Sequence, residues 1–424
     1  MNIYHRISAL IPLIIITILF FIFGFVTSLN AILIPHLKRA CQLDDFISAF
    51  VPFAFFSAYF LFSIPSGLLI QKIGYKNGII LGLFICFVGA VLFLPAANTR
   101  VYVFFLFALG VLASGITLLQ VAANPYVSLL GSPDKASSRI SLVGAFNSLG
   151  GTLGPIIGGW FILSRVEITE LEISLMKESE KLTFLNGEAA SVKLPYLVLA
   201  SCLLFLCVLV KFSKIPDLEI QNETINAPSK TTRKSIFKHR NLTLGIIAIF
   251  MYVGAEVSVV DFLIRYAQYL NLKDFTEQKG SFFISGYGLS AMIGRFIGIF
   301  LLPYIKPNKA IIYYSLLAIL LIVVSIANTS YISLWCIMLV GFSNSVLWPS
   351  IFPLAIEGLG VNTKKGSSLL IMAIVGGAIV PLALGFMSDL FGTRIAYTIP
   401  ILCYIYILYY GMDGYKIKKI INMS

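Results

Sequence analysis

Residues 119–131, Leu119 to Gly131, read LQVAANPYVSLLG. They close a run from about 100 to 130 in which no charged side chain follows Arg100. A Gln, an Asn-Pro pair, a Tyr and a Ser are thus embedded in an apolar segment of helix length. About 20 mainly apolar residues cross a bilayer as a helix. In lipid every polar group needs a partner, because an unpaired one costs several kcal/mol. The stretch therefore predicts a membrane helix whose amides turn toward protein or a cavity. Gln120 and Asn124 lie four residues apart on one helix face. Neither is charged. Pro125 lacks the N–H that would bond one turn back, which loosens the helix and frees a carbonyl to line a cavity.

The rest of the 424 residues share this character. The chain is 58% hydrophobic and 12% charged, with a mean hydropathy of +0.92, whereas soluble domains carry roughly 25% charged residues. That balance specifies an all-α, multi-pass membrane protein. A net charge of +12 would suggest nucleic acid in a soluble protein; here it reads as loops facing anionic lipid, and no nucleic-acid partner is expected. Six cysteines, at 41, 86, 202, 207, 336 and 403, include no CxxC pair and read as small packing residues. The first apolar run continues through Ile34 with no small-residue cleavage site, so it is read as a spanning helix.

Twelve spans are predicted, at about 9–36, 46–71, 76–96, 100–130, 137–163, 192–213, 243–268, 280–304, 308–328, 331–356, 365–389 and 394–412. A basic stretch, 214–242, follows the sixth and reads as a linker between bundles 1–213 and 243–424. Segment 164–191 is a connection of mixed charge. The halves repeat. GGTLGP (Gly150 to Pro155) matches GGAIVP (Gly376 to Pro381), and LLGSPDKASS (Leu129 to Ser138) resembles GLGVNTKKGSS (Gly358 to Ser368), in the same order at corresponding helices. Two pseudo-symmetric six-helix bundles place a substrate site at midplane between them. With the N-terminus inside, 19 of the 31 Lys and Arg fall on the tails and same-side loops and 10 on the opposite loops. Cytoplasmic termini and a cytoplasmic linker are therefore expected.

No catalytic constellation is present. The three histidines, His5, His36 and His239, sit at tails or loop edges, which supports neither a His-based metal site nor an intramembrane His base. No GxxxxGK[ST] loop occurs, which argues against an ATP-driven pump. An enzyme is not expected, nor is a cofactor. Polar residues within the spans remain as the functional candidates.

Five stretches carry a family resemblance: FFIFGFVTSLNAILIPHLK (20–38), AYFLFSIPSGLLIQKIGYKNGIILGL (58–83), LLQVAANPYVSLLG (118–131), SRISLVGAFNSLGG (138–151) and YVGAEVSVVDFLIRY (252–266). In order and over nearly the whole chain, they resemble the fucose:proton symporter family of the major facilitator superfamily, and its glucose/galactose permease branch in particular. The resemblance implies uptake of a monosaccharide across a bacterial inner membrane by alternating access. It also implies departures. The acid that follows the Asn of the first-helix motif is Ala31 here, after Asn30; the fourth-helix Glu is Gln120; the Gln three before the FNS-motif Asn is Gly144; that Asn is kept as Asn147. Both proton-binding carboxylates of the fucose symporter are thus missing.

An amide cannot titrate, but its two donors and two acceptor lone pairs match sugar hydroxyls. Asn30, Gln120, Asn124 and Asn147 are the expected substrate contacts of the first half, with interhelical hydrogen bonding as the competing reading. Glu256 and Asp261, on the seventh span, are the carboxylates left for a coupling H⁺ or Na⁺. Glu256 is alternatively a structural hydrogen-bonding group, and Asp261 a partner of Arg265 one turn on. Trp348 matches an aromatic near the family's sugar cavity, and Asn344, one turn before it, is a further sugar contact of the second half; packing is the alternative for the tryptophan. GFMSDLFGTR (385–394) fits the superfamily's loop motif and reads as a latch between the last two spans. Three functions remain open: a cation-coupled hexose symporter, an uncoupled hexose facilitator, and a permease or sensor for a non-sugar metabolite. A monomer surrounded by lipid is expected.

Overall fold

The structure is a computed structural model that describes residues 3–43, 47, 50–162, 176–213, 236–272, 275 and 277–417. At some helical positions, among them Asn30 and Ala31, only the backbone is described. Most of the basic linker and part of the fifth connection lie outside these residues.

Among the described residues, ten helices are long and apolar enough to cross a membrane. One of them, Phe53–Thr99, has 47 residues and would be roughly 70 Å long if straight, more than twice the hydrocarbon thickness. It is two spans. Gly74 breaks it with φ 81° and ψ 174°, a backbone region that only glycine enters without strain. Ala136–Ile162 completes a set of twelve. Span 1 is Ile3–Cys41, spans 2 and 3 are the limbs of Phe50–Thr99, span 4 is Tyr102–Leu129, span 5 is Ala136–Ile162 and span 6 is Lys193–Phe212. Span 7 runs Arg240–Asp261 and resumes as Leu263–Tyr269; span 8 is Glu277–Leu301 and span 9 Pro307–Ala327. Span 10 is Tyr331–Asn344 plus Leu347–Ile356, span 11 Thr363–Met372 plus Gly376–Phe391, and span 12 Thr398–Tyr409.

Two details differ from the sequence expectation. Span 4 stays helical through Pro125, and the interruption falls in span 10 instead, just before Pro349. The connection after span 5 contains a helix, Glu178–Ala190, which packs on spans 1 and 3. Leu185 and Ala189, four apart and buried, give it an apolar face.

The repeat is visible in helix contacts. Spans 1 and 5 touch backbone to backbone: a Cβ on Gly24 would lie 1.9 Å from the Asn147 carbonyl oxygen, and one on Gly150 2.0 Å from that of Phe21. Spans 7 and 11 do the same, with a Cβ on Gly376 falling 2.2 Å from the Phe250 oxygen. Small residues are what let membrane helices approach so closely. A second pair of matched contacts joins span 2 to span 4 in the first half and span 8 to span 10 in the second. Gln120 Nε2 donates to the Tyr59 hydroxyl at 3.0 Å, and Asn344 Nδ2 donates to that of Tyr287 at 2.6 Å.

The end of the bundle where span 6 stops and span 7 starts, called the linker end below, is where the halves meet. Ser63 Oγ donates to the Ser368 carbonyl across spans 2 and 11. Ser138 Oγ donates to the Ile299 carbonyl and Ser141 Oγ to that of Arg295, both at 2.8 Å, across spans 5 and 8.

At this end Arg139 also closes span 4, donating to the carbonyls of Val127, Ser128 and Ser132 at 2.9, 2.7 and 3.0 Å. Those of Val127 and Ser128 are carbonyls that a helix end leaves without intrahelical partners. Asn241 does the same for span 10, its Nδ2 reaching the carbonyls of Leu354, Ala355 and Glu357 within 3.2 Å. Hydrogen bonds from a charged donor stabilise by about 1.5–3 kcal/mol, part of which water recovers at a half-exposed end. Arg139→Ala is therefore expected to lower stability by about 2–3 kcal/mol, read as a lower unfolding midpoint in detergent. Ser201→Ala is the control, because exposed Ser201 donates to the Leu197 carbonyl of its own helix. A midpoint equal to that of the control would remove Arg139 from this role.

Candidate functional site

Between the halves lies a cavity of about 190 Å³, walled by spans 1, 4, 5, 7, 8, 10 and 11. Span 4 contributes Gln120 and Asn124, on the shared face that their spacing requires. Gln120 is held by Tyr59. Asn124 is buried, and its Nδ2 donates to the Gln120 carbonyl at 3.1 Å. Its Oδ1 is buried too and has no hydrogen-bond partner among the described residues. A buried acceptor left in that condition costs about 1–3 kcal/mol, which a ligand hydroxyl donating to it would offset.

Span 5 contributes Asn147, whose Nδ2 donates to the Phe20 carbonyl of span 1 at 3.1 Å, and Gly144, one helical turn before it. From the other half, Trp348 stacks on Phe352 with ring centroids 5.8 Å apart and planes 21° off parallel. Its neighbour Tyr252 lies at 6.3 Å. The indole thus presents a fixed apolar face to the cavity.

Glu256 of span 7 lines the same space, opposite Arg295 of span 8. Arg295 Nη2 is 3.8 Å from Glu256 Oε1. Its Nη1 crosses to the other half, donating to the Gly144 carbonyl at 3.2 Å and, in a closer contact, to Ser148 Oγ. The absence of a side chain at Gly144 leaves room for this: a Cβ there would already lie 3.6 Å from Arg295 Cδ. One carboxylate and one guanidinium give the lining no formal net charge. Amides, hydroxyls and an aromatic face make up the rest of its chemistry, a set suited to an uncharged, hydroxyl-rich ligand.

Of the residues singled out in the sequence, Gln120, Asn124, Asn147, Glu256 and Trp348 converge here. Three do not. The Asn30 side chain lies outside the described residues. Asn344 sits behind the wall, fully buried, its Nδ2 on Tyr287 and its Oδ1 accepting from Tyr404 at 2.8 Å. Both its amide atoms are thus occupied in bracing the second half, and it has no place in the lining. Asp261 is exposed at the end of its helix, away from the cavity. Its neighbour Arg265 rests its guanidinium 5.0 Å over the Phe262 ring. Arg295 is the residue that sequence reading passed over. A charge inside an apolar span with no acid one turn away on its own helix was the available signal.

Two six-helix bundles joined by a linker, with a polar cavity between them, form a known transporter architecture, and a family model described as Major Facilitator Superfamily matches residues 16–368. The chain belongs to the major facilitator superfamily. Within the superfamily it is 44% identical over 401 residues to the glucose/galactose transporter of Brucella abortus, covering 95% of this chain and 93% of that one. It is 33% identical to the L-fucose-proton symporter of Escherichia coli, covering 94% and 91%. The crystal structure of the major facilitator transporter FucP in the outward conformation superposes with a TM-score of 0.87 at 32% identity, covering 96% of this chain and 99% of that one. These similarities identify the chain as a member of the fucose:proton symporter family.

Proposed function

We propose that this protein imports a neutral hexose, of the glucose or galactose type, across a bacterial inner membrane by alternating access, coupled to a cation through Glu256. One observation carries the reading: the neutral amides Gln120, Asn124 and Asn147 face an aromatic platform at Trp348 across a single cavity, and the Asn124 Oδ1 lacks a partner among the described residues. A pyranose has hydroxyls for the amides and a C–H face for the indole. The similarity to a glucose/galactose transporter and an L-fucose-proton symporter supports sugar as the ligand class.

The positive-inside count puts the linker end in the cytoplasm. The halves touch at that end, so the state described here is the outward-facing one, in keeping with its likeness to FucP. Glu256 is the carboxylate of the cavity lining, and coupling is assigned to it on that ground. Its pairing with Arg295 favours a second reading, in which the two charges are structural and the carrier is an uncoupled facilitator.

Saturable uptake of labelled hexose into proteoliposomes tests the sugar assignment. Asn124→Leu removes the waiting acceptor and fills its space with an apolar group. It is expected to weaken hexose affinity at least tenfold, about 1.4 kcal/mol, while leaving the unfolding midpoint within 1–2 kcal/mol of wild type by roughly the cost of one buried hydrogen bond. Hexose should raise the midpoint of wild type and not of the variant, since a ligand stabilises only the state it binds. No saturable hexose flux in wild type would leave the non-sugar permease.

A further inference from the structure

We propose that Arg295 is the residue that couples the charge of Glu256 to closure between the halves, because its guanidinium is hydrogen-bonded to the first half while it holds Glu256 only at a longer ion-pair distance. This rests on the coupling role given to Glu256 above. In the state described, Nη1 holds the first half through the Gly144 carbonyl and Ser148 Oγ. Nη2 reaches Glu256 only at 3.8 Å, beyond the roughly 2.7–2.9 Å of a charge-assisted hydrogen bond. The arginine is drawn toward the first half and stops short of the acid.

Separation of spans 5 and 8 at the linker end removes Gly144 and Ser148 from reach. The guanidinium is then free to close on Glu256, which belongs to its own half and travels with it. An ionised Glu256 therefore favours the state open at the linker end. A protonated Glu256 offers Arg295 little, so the bonds to the first half win and that end stays shut. No covalent bond changes; one proton moves on or off one carboxyl oxygen.

The neighbours of Glu256 leave this competition to a single cation. Tyr252 faces it from its own helix, Arg295 and Tyr287 from span 8, and Tyr404 from span 12. Among the described residues, the polar side chains that the first half contributes to the shared cavity are the uncharged amides Gln120, Asn124 and Asn147. The outcome is a rule against leak: proton-loaded and sugar-free, the carrier is held closed at the linker end; empty and ionised, it is released to reorient. A bound sugar would open the loaded carrier by taking hydrogen bonds from the Arg295–Ser148 contact.

The test is the population of the linker-end-open state in reconstituted full-length protein, with no sugar and no gradient. Spin labels go on Asp134 and Val361, exposed positions on the two halves at that end, in a cysteine-free background. Arg295→Ala should raise the long-distance population by roughly tenfold, and Ser148→Ala, which spares both charges, should raise it less. Glu256→Gln should lower it below wild type and remove its response to pH, whereas wild type should close as pH falls. The double variant should follow Arg295→Ala. An unchanged distance distribution in Arg295→Ala and Ser148→Ala, or a double variant resembling Glu256→Gln, would overturn the proposal. Arg295→Lys keeps the charge without the two-pronged reach and should fall between. Since no sugar is needed, failure of hexose uptake with these shifts intact would count against the sugar reading and not against this one.

Discussion

Replacing Gly24 with leucine is expected to leave no folded carrier. Its added Cβ would start 1.9 Å from the Asn147 carbonyl oxygen, and the obstacle is backbone, so no side-chain rotation relieves it. Overpacking a yielding core costs about 1–3 kcal/mol. Here span 1 would have to withdraw from span 5 along their contact, losing the Asn147–Phe20 hydrogen bond and one wall of the cavity. A loss above about 3 kcal/mol is a large share of the 5–15 kcal/mol typical of folded domains. Gly376→Leu should do the same in the second half, where the Phe250 oxygen lies 2.2 Å from the added carbon. Gly110→Leu should be neutral, because nothing lies within 4 Å of a Cβ there. The monodisperse fraction in mild detergent is the measurement. A Gly24→Leu protein as monodisperse as wild type would show that the two helices slide apart freely.

The second large effect is on accumulation. One elementary charge moved through 100 mV is worth about 2.3 kcal/mol, which corresponds to roughly a fiftyfold concentration ratio. Wild-type proteoliposomes under such a potential should approach that ratio of hexose inside to outside. Glu256→Gln keeps the size and polarity of the side chain but cannot bind and release a proton, and its ratio is expected to fall to about one, while saturable equilibration continues. Asp261→Asn should accumulate normally, since Asp261 lies outside the cavity lining. Undiminished accumulation by Glu256→Gln would move the coupling site elsewhere. A wild-type ratio of one would select the uncoupled facilitator.

The spans and the repeat were legible because the bilayer imposes hard conditions. A segment must be about 20 residues long and apolar, and glycine must recur where two helices touch, as at Gly150 and Gly376. The polar wall was legible for the same reason: an amide in an apolar helix is conspicuous, and Gln120, Asn124 and Asn147 do share the cavity. Facing direction across helices was not legible. Asn344 matches Gln120 in the repeat, and each is clasped by a tyrosine. Only the arrival of Tyr404 from span 12 turns one of them into a brace. Nor does proline content predict the helix break, since Pro125 sits in an unbroken helix and the interruption before Pro349 depends on packing. Arg295 was visible as a charge, but its reach toward Gly144 exists only once spans 5 and 8 are side by side.

Among the contacts that shut the linker end are serine hydroxyls donated to main-chain carbonyls, at Ser63, Ser138 and Ser141. When such a bond opens to solvent, water supplies a replacement on each side, so its net worth is only about 0.5–1.5 kcal/mol. A greasy seam would instead present hydrocarbon to water at every turnover and would resist opening in proportion to its area. The serine bonds of this seam unfasten a few at a time, each immediately rehydrated. The carrier's stability is thereby stored within the halves and its motion between them, so that evolution or engineering can harden either bundle without slowing the cycle.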